Sequence, residues 1–378
     1  MNITFKNITR VFFVSALSVL ALSSCSKWTE PEPVKYEYLT LEQKNPELYK
    51  AYMESLREYR DSEHKVLIAK FDNSAATPSG RAEHINCVPD STDYVVLTNP
   101  TEISSQLLSD MKDLQVNKRT KVLGQISIAD ILKDYKAYRE KWLEDHAPKP
   151  ELAQAPVEEE VTPEEPDAPV DVMLDFDGFI KEKMPVLLEP FEKYPYDGIN
   201  LIFNGKNPES LNAENLEIAK AEQSAFFTPV IEWLNKDENR LFFLEGDAHY
   251  IVIDEKPSLM ADFILVPAQS AMVPSEFTHV VNKMIIEKNV PSDKIIVVVT
   301  TISINDPTIK EGHFSVLKPD GSEMTAIEGA AYWANGSFDS FIPRGIAVEH
   351  AQNDYYDLKK VYSETRSAIS IMNPSPIK

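Results

Sequence analysis

The chain has 378 residues, with 60 acidic and 38 basic side chains and a net charge of −22. This charge repels phosphate backbones, so we expect no nucleic acid partner, whereas neutral sugars remain compatible with it. The seven histidines show no paired ligand spacing, and the eleven glycines form no phosphate-binding loop. We therefore expect neither a metal site nor a bound cofactor.

The first 24 residues have the pattern of an export signal. A basic, polar start with Lys6 and Arg10 runs into an apolar stretch, residues 11–22, that is too short to span a bilayer. Small residues precede Cys25, as at the cleavage site of bacterial lipoproteins. We predict that residues 1–24 are a lipoprotein signal peptide and that Cys25 is lipidated, which would hold the protein on a membrane. A plain secretory signal with an incidental cysteine is the alternative.

The segments that follow the cysteine predict a tether and a helix. Residues 25–44 are polar and contain proline, as expected of a tether that does not pack. Acidic residues soon after a lipidated cysteine resemble the surface-export signals of Bacteroidetes lipoproteins, which implies an outer-membrane protein exposed at the cell surface. In residues 45–60, apolar side chains recur at three- and four-residue steps, which predicts an amphipathic capping helix.

Residues 61–372 repeat one theme, in which a short apolar run is followed by a helical pattern. Continuous apolar runs are typical of strands covered on both faces, and intervening helices are typical of parallel crossovers. Eight such units predict an α/β fold, a (β/α)8 TIM barrel, with a doubly wound open sheet as the alternative. A Pro-Asp-Gly turn within 316–324 predicts a small hairpin after the seventh strand. The predicted strands are 65–71, 94–98, 120–126, 198–203, 240–244, 262–266, 294–300 and 345–348, and the predicted helices include 102–114, 128–142, 176–194, 214–235 and 274–288.

One region, residues 145–171, breaks this pattern. It is dense in proline and glutamate, and such a composition cannot bury enough apolar surface to offset the entropy of ordering. We predict a disordered acidic insertion in the barrel. A tolerated surface loop and an acidic arm that docks a partner are the two interpretations of its role.

The fourth strand carries the most informative pattern, Asp-Gly-Ile-Asn-Leu-Ile-Phe-Asn, at residues 197–204. Side chains alternate along a strand, so Asn200, Ile202 and Asn204 share one face. We predict that this face lines the barrel interior, with Asn204 at the rim. In such barrels the working residues lie at the carboxyl ends of the strands.

This segment resembles the signature of glycoside hydrolase family 18, the chitinases and endo-β-N-acetylglucosaminidases, whose fourth strand reads Asp-Gly-x-Asp-x-Asp-x-Glu. Together with the ends of the other strands, the resemblance covers residues 65–356 apart from the insertion. Asp197 and Gly198 match the start of the signature, whereas Asn200, Ile202 and Asn204 replace its later acids. The last of these acids protonates the leaving oxygen in the family, so the resemblance implies a hydrolase scaffold that has lost its general acid.

Several residues are candidates for ligand binding. The amides of Asn200 and Asn204 can donate and accept hydrogen bonds, which suits sugar hydroxyl and acetamido groups, although they can also satisfy one another. Trp333 offers a stacking surface, with packing inside the core as the alternative. Glu245 is in addition a candidate replacement acid. The remaining candidates at strand ends are Asp72, Asn73, Gln125, Gln269 and Glu349.

These predictions converge on a cell-surface lipoprotein that binds glycans without cleaving them. The resemblance implies a ligand containing N-acetylglucosamine, from an N-glycan or a chitin-type oligosaccharide. It also implies an outer-membrane glycan transporter and neighbouring surface lipoproteins as partners. The alternatives are an active endo-β-N-acetylglucosaminidase with a relocated acid, and a surface scaffold that binds protein through the acidic insertion.

Overall fold

The computed structural model describes residues 41–75, 77–146, 175–286, 290–306, 308–318, 320–356 and 360–374. The predicted signal peptide, Cys25, most of the tether and nearly all of the 145–171 insertion lie outside these residues. The chain divides into two compact units, Met1–Tyr52 and Met53–Lys378. The described part of the first unit is helical, with α1 at Leu41–Lys44 and the start of α2 at Pro46–Asp61.

The second unit contains a closed barrel of eight parallel strands, so the predicted (β/α)8 fold is confirmed and an open sheet is excluded. The strands follow one another around the barrel in chain order, and the last strand, β10, closes the ring against β1. Each begins and ends within three residues of its predicted bounds. The strands are β1 Val66–Phe71, β2 Tyr94–Leu97, β3 Lys121–Ser127, β4 Gly198–Phe203, β5 Leu241–Gly246, β6 Phe263–Pro267, β7 Ile295–Thr300 and β10 Pro343–Glu349.

Helices and one hairpin connect these strands. The hairpin predicted after β7 is present as β8 (His313–Leu317) paired antiparallel with β9 (Glu323–Thr325). No helix in the described ranges is long and apolar enough to cross a membrane. The remaining helices there are α3 Ser105–Asp113, α4 Ile128–Asp145, α5 Phe176–Lys193, α6 Ala213–Leu234, α7 Pro257–Met260, α8 Pro274–Ile286, α9 Ala326–Ala334 and α10 Ser363–Met372.

Strand alternation divides the core into two layers. One set of buried side chains, including Ile68, Leu123 and Phe243, fills the barrel interior, while Leu201 and Phe203 belong to the larger cluster between strands and helices. The interior is mostly apolar at mid-strand, with Asn200 on β4 as a polar exception, and its other polar side chains lie towards the carboxyl ends of the strands. This arrangement places the candidate site at the carboxyl ends of the strands.

Arg60, the second-last residue of α2, binds the opposite, amino-terminal end of the barrel. Its guanidinium donates to the carbonyl oxygens of Asp90 at 2.8 Å and Ser91 at 3.4 Å, and to the hydroxyl of Thr120 at 3.1 Å. It also pairs with the carboxylate of Asp93, which directly precedes β2. Planar guanidinium groups bind several oxygens at once, so one side chain fixes the ends of two strands.

Candidate ligand site at the barrel mouth

A buried lysine organises the polar end of the barrel interior. Lys70 lies on β1, and its Nζ donates to Glu245 Oε1 on β5 at 2.6 Å and to Glu349 Oε1 on β10 at 2.8 Å. The side chains of Lys70 and Glu245 are 2% and 3% exposed. Since β1 and β5 lie on opposite sides of the closed strand order, the first of these ion pairs crosses the interior.

Two amides complete this network. Asn200 on β4 donates from Nδ2 to Glu245 Oε2 at 2.8 Å, and Gln269 beyond β6 donates from Nε2 to Glu349 Oε2 at 2.9 Å. All four carboxylate oxygens therefore accept a hydrogen bond. Buried charges are tolerated when they are paired and satisfied in this way. We call these five residues the Lys70 network.

The charges of the network hold one another in place. Burial by itself lowers the pKa of Lys70, but the charges of Glu245 and Glu349 outweigh it, so the pKa lies above its ordinary value. Burial by itself raises the pKa of Glu349, but the Lys70 charge and the hydrogen bonds from Lys70 and Gln269 lower it overall. At neutral pH the ammonium is charged, the carboxyl of Glu349 is ionised, and that carboxyl has no proton to give.

Two acceptor atoms at the same level have no hydrogen-bond partner among the described residues. They are Asn200 Oδ1 and Gln125 Oε1, both inaccessible to solvent at the oxygen. Gln125 on β3 is the register partner of Asn200, so the two side chains point to the same face. Unsatisfied buried acceptors are costly, and a donor such as a water molecule, a hydroxyl or an acetamido N–H would satisfy them.

Asp72 and Asn73 lie in the loop that follows β1. Asp72 Oδ1 accepts from the backbone N–H of Ser74 at 2.9 Å, and Asn73 exchanges two hydrogen bonds, at 2.7 and 2.9 Å, with the backbone of Asn99 beyond β2. These contacts shape the loop at the edge of the mouth. The structure thus places Asp72, Gln125, Asn200, Gln269 and Glu349, together with Glu245, at one end of the barrel.

The family of the chain follows from comparison with known proteins. Residues 29–371 match the family model of glycoside hydrolase family 18, BT1044-like. The chain belongs to this family. A solved structure of BT1044, a family 18-like Bacteroides protein, is similar to this family 18 chain, with a TM-score of 0.58 and 18% sequence identity. The alignment covers 89% of this chain and 96% of the BT1044 chain. No curated protein matches the sequence.

Other solved structures are similar at lower TM-scores. A chitinase from Rhizomucor miehei aligns with 81% of this chain and 98% of its own, at 12% identity and a TM-score of 0.37. A chitinase-like agglutinin from Robinia pseudoacacia aligns with 81% of this chain and 99% of its own, at 9% identity and a TM-score of 0.41.

Asp197 and Gly198, the two residues that match the family 18 signature, make contacts that stabilise the barrel. Asp197, at the amino-terminal end of β4, accepts hydrogen bonds from Lys121 Nζ at 2.8 Å, Gln115 Nε2 at 2.7 Å and the backbone N–H of Val122 at 2.9 Å. A Cβ on Gly198 would lie 2.2 Å from a backbone oxygen of β5. Both residues therefore hold β4 against its neighbours, and their presence does not indicate catalysis.

Trp333 lies outside the site, so the prediction that its ring stacks on a ligand is corrected. Its side chain on α9 is 5% exposed and packs against Phe277, Phe338 and Phe341. The indole N–H donates to the Thr278 hydroxyl at 3.0 Å. The ring belongs to the core between α8 and α9, which agrees with the alternative interpretation that Trp333 packs inside the core.

Asn204 is exposed beyond the end of β4 and lines a cavity of about 240 Å³ outside the barrel. The same cavity contains Glu222 of α6, a half-buried residue that the sequence did not single out. Burial raises the pKa of Glu222, and the charge of Asp177 adds to this effect while that of Lys206 opposes it. The one sign of Glu222 in the sequence is its spacing. It follows Ile218 by four residues and Ala219 by three, which places all three side chains on one face of the predicted helix.

Proposed function

We propose that this family 18 chain is a non-catalytic, glycan-binding protein of the cell surface. The observation that carries the proposal is the Lys70 network, which occupies the end of the barrel interior where a family 18 hydrolase would work. Its carboxylates are bound to an ammonium and to amides instead of being free to transfer a proton. General acid catalysis requires a protonated group within reach of the leaving oxygen.

The fourth strand supports the absence of hydrolysis. Ile202 is apolar where the family signature has an acid, and the amide of Asn204 cannot donate an acidic proton. Glu245 accepts hydrogen bonds at both carboxylate oxygens and is almost fully buried, so it is a poor candidate for a relocated acid. Loss of general acid catalysis alone costs a factor of ~10² to 10⁴ in rate.

The polar groups at the mouth suit a sugar that carries an acetamido group. Glu349, with a 25% exposed side chain, and the partly exposed Gln125 and Gln269 offer hydrogen-bonding groups to such a sugar, whereas Asn200 is fully buried. Sugar-binding sites combine such hydrogen-bonding groups with apolar walls. The ligand we propose is a glycan containing N-acetylglucosamine, from an N-glycan or a chitin-type oligosaccharide.

Location and partners are part of the same proposal. Lipidation at Cys25 would anchor the chain in the outer membrane, and the acidic residues after it favour export to the cell surface. A protein that binds glycans there without cleaving them needs a route for uptake. Its proposed partners are accordingly an outer-membrane glycan transporter and neighbouring surface lipoproteins.

Calorimetric titration of the full-length protein with N,N′,N″-triacetylchitotriose tests the proposal, followed by mass spectrometry of the same mixture. We expect binding heat and an intact trisaccharide. Gln125→Ala and Gln269→Ala should weaken binding, whereas Asn117→Ala, an exposed amide before β3 at the other barrel end, should not. Cleavage that persists in a clean preparation, or absence of binding to this sugar and to N-glycans, overturns the proposal.

A further inference from the structure

The cavity outside the barrel lies beside the carboxyl end of β4. Its walls come from the first turns of α4, the start of α5, the loop after β4 and the middle of α6. Apolar side chains dominate these walls, among them the aromatic rings of Phe176 and Phe203 and the aliphatic chains of Leu132 and Ile218. Leu132 and Ile218 are 37% and 50% exposed, which leaves apolar surface available to a ligand.

Polar groups in the cavity are few and lie among these apolar walls. Asn204 and Asn215 provide amides, and Glu222 provides a half-buried carboxyl group that no described residue meets with a hydrogen bond. A mostly apolar cavity with a small number of polar groups is the usual form of a small-molecule site. A pyranose ring has the matching chemistry, with one face of C–H groups and a rim of hydroxyls.

Asn204 connects the cavity with the barrel mouth. It directly follows Phe203, the last residue of β4, and the same strand carries Asn200 of the Lys70 network. A second groove, of about 500 Å³, adjoins the cavity and shares Pro208 and Val252 with it. The cavity and the groove thus form one continuous lining beyond the end of β4, long enough for more than one residue of an extended ligand.

We propose that this cavity is a second sugar subsite, which takes one pyranose residue of the glycan bound at the mouth, with Phe176 against the ring and Glu222 bound to its hydroxyls. The inference rests on the proposed function. It adds a contact region outside the barrel, which the family 18 signature does not include.

Filling the cavity tests this assignment. Ala219 on α6 lines it, and Ala219→Met adds an unbranched side chain with high helix propensity. The matched control is Ala221→Met, an exposed position on the same helix that does not line the cavity. We expect Ala219→Met to weaken binding of triacetylchitotriose to the full-length protein by about tenfold, or about 1.4 kcal/mol, and Ala221→Met to leave it unchanged.

A second pair of variants covers the case in which Ala219→Met does not fold. Glu222→Gln keeps the shape of the side chain, and Glu214→Gln makes the same change at an exposed position of α6 outside the cavity. We expect only the former to weaken binding. Unchanged affinity in Ala219→Met and Glu222→Gln, with binding still weakened in Gln269→Ala, overturns the subsite and leaves the proposed function intact. Absence of binding to the wild type overturns the proposed function itself.

Discussion

The ammonium of Lys70 lies 2.6 Å from a carboxylate oxygen of Glu245, on the opposite side of the barrel. Both side chains are almost fully buried, and the ion pair takes up interior space towards the carboxyl ends of the strands. A buried pair of this kind adds little net stability but is expensive to break from one side. Together with Glu349, Asn200 and Gln269, the pair leaves none of the four carboxylate oxygens of the network without a hydrogen bond.

Removal of the lysine tests the energetic role of the network. Lys70→Met leaves Glu245 and Glu349 without their shared cation, and we expect the free energy of unfolding to fall by about 3–5 kcal/mol. Urea denaturation followed by circular dichroism measures the change. The double variant Lys70→Met/Glu245→Gln should recover part of the loss, because one uncompensated charge is removed. A single variant as stable as the wild type would contradict the assigned charges.

Restoring one acid of the family signature should not restore hydrolysis. Asn204→Glu places a carboxyl group at an exposed position that lines the cavity outside the barrel, whereas general acid catalysis requires the acid within reach of the leaving oxygen of a sugar bound at the mouth. Ile202 beside it cannot stabilise a charged intermediate. We expect no cleavage of triacetylchitotriose by mass spectrometry, with unchanged thermal stability as the control. Turnover in this variant would show that the fourth strand still presents the acid productively.

The histidine at the amino-terminal end of the barrel should make stability depend on pH. His64 Nε2 lies 2.9 Å from Asp93 Oδ1, and this hydrogen bond, with the Asp93 charge, raises the pKa of His64 despite the opposing effect of burial. The folded state therefore binds the proton more tightly than the unfolded state, whose histidine has a pKa of about 6.5. The resulting stabilisation is complete below that value and is lost as the pH rises through the folded-state pKa.

We expect the stability difference between wild type and His64→Gln to be larger at about pH 6 than at about pH 8.5, when both are measured by urea denaturation. His279→Gln, at an exposed position of α8, is the matched control and should leave the pH dependence as it is in the wild type. Parallel stability curves for wild type and His64→Gln would exclude the His64–Asp93 pair as a titrating contact.

A glycine next to the network fixes the end of β5. Gly246 has a φ of +98°, and a Cβ added there would lie 2.3 Å from the backbone oxygen of Phe203. We expect Gly246→Ala to lower the free energy of unfolding by about 1–3 kcal/mol or more and to weaken ligand binding through Glu245. Gly80→Ala is the control, since that glycine has an extended backbone with no heavy atom within 4 Å of the added Cβ. Equal free energies of unfolding for Gly246→Ala and Gly80→Ala would show that a side chain at position 246 causes no strain.

The barrel could be predicted from sequence because its strands stand out as short, continuous apolar runs. Runs such as Ile295–Thr300 are apolar at every position or nearly so, and this pattern requires cover on both faces. The hairpin after β7 was also visible, from its turn residues. These are local signals, and each one is contained within a few consecutive residues.

The Lys70 network could not be predicted in the same way, because it joins strands that are far apart in the chain. Lys70 lies within a run of apolar residues, and a lysine there was the one available sign of a buried partner. Glu245 and Glu349 become the partners of Lys70 only through the strand register and the closure of the barrel, which the sequence does not show. Glu222 was missed because its burial arises from the packing of three helices, and Trp333 because periodicity does not separate a core ring from an exposed one.

The contacts of Arg60 attach α2 to one particular end of the barrel. The chain reaches the barrel through α2, and the guanidinium binds that helix to the ends of strands opposite the mouth. A pull that reaches Arg60 along α2 is therefore transmitted to the amino-terminal ends of β2 and β3 through several oxygens at once.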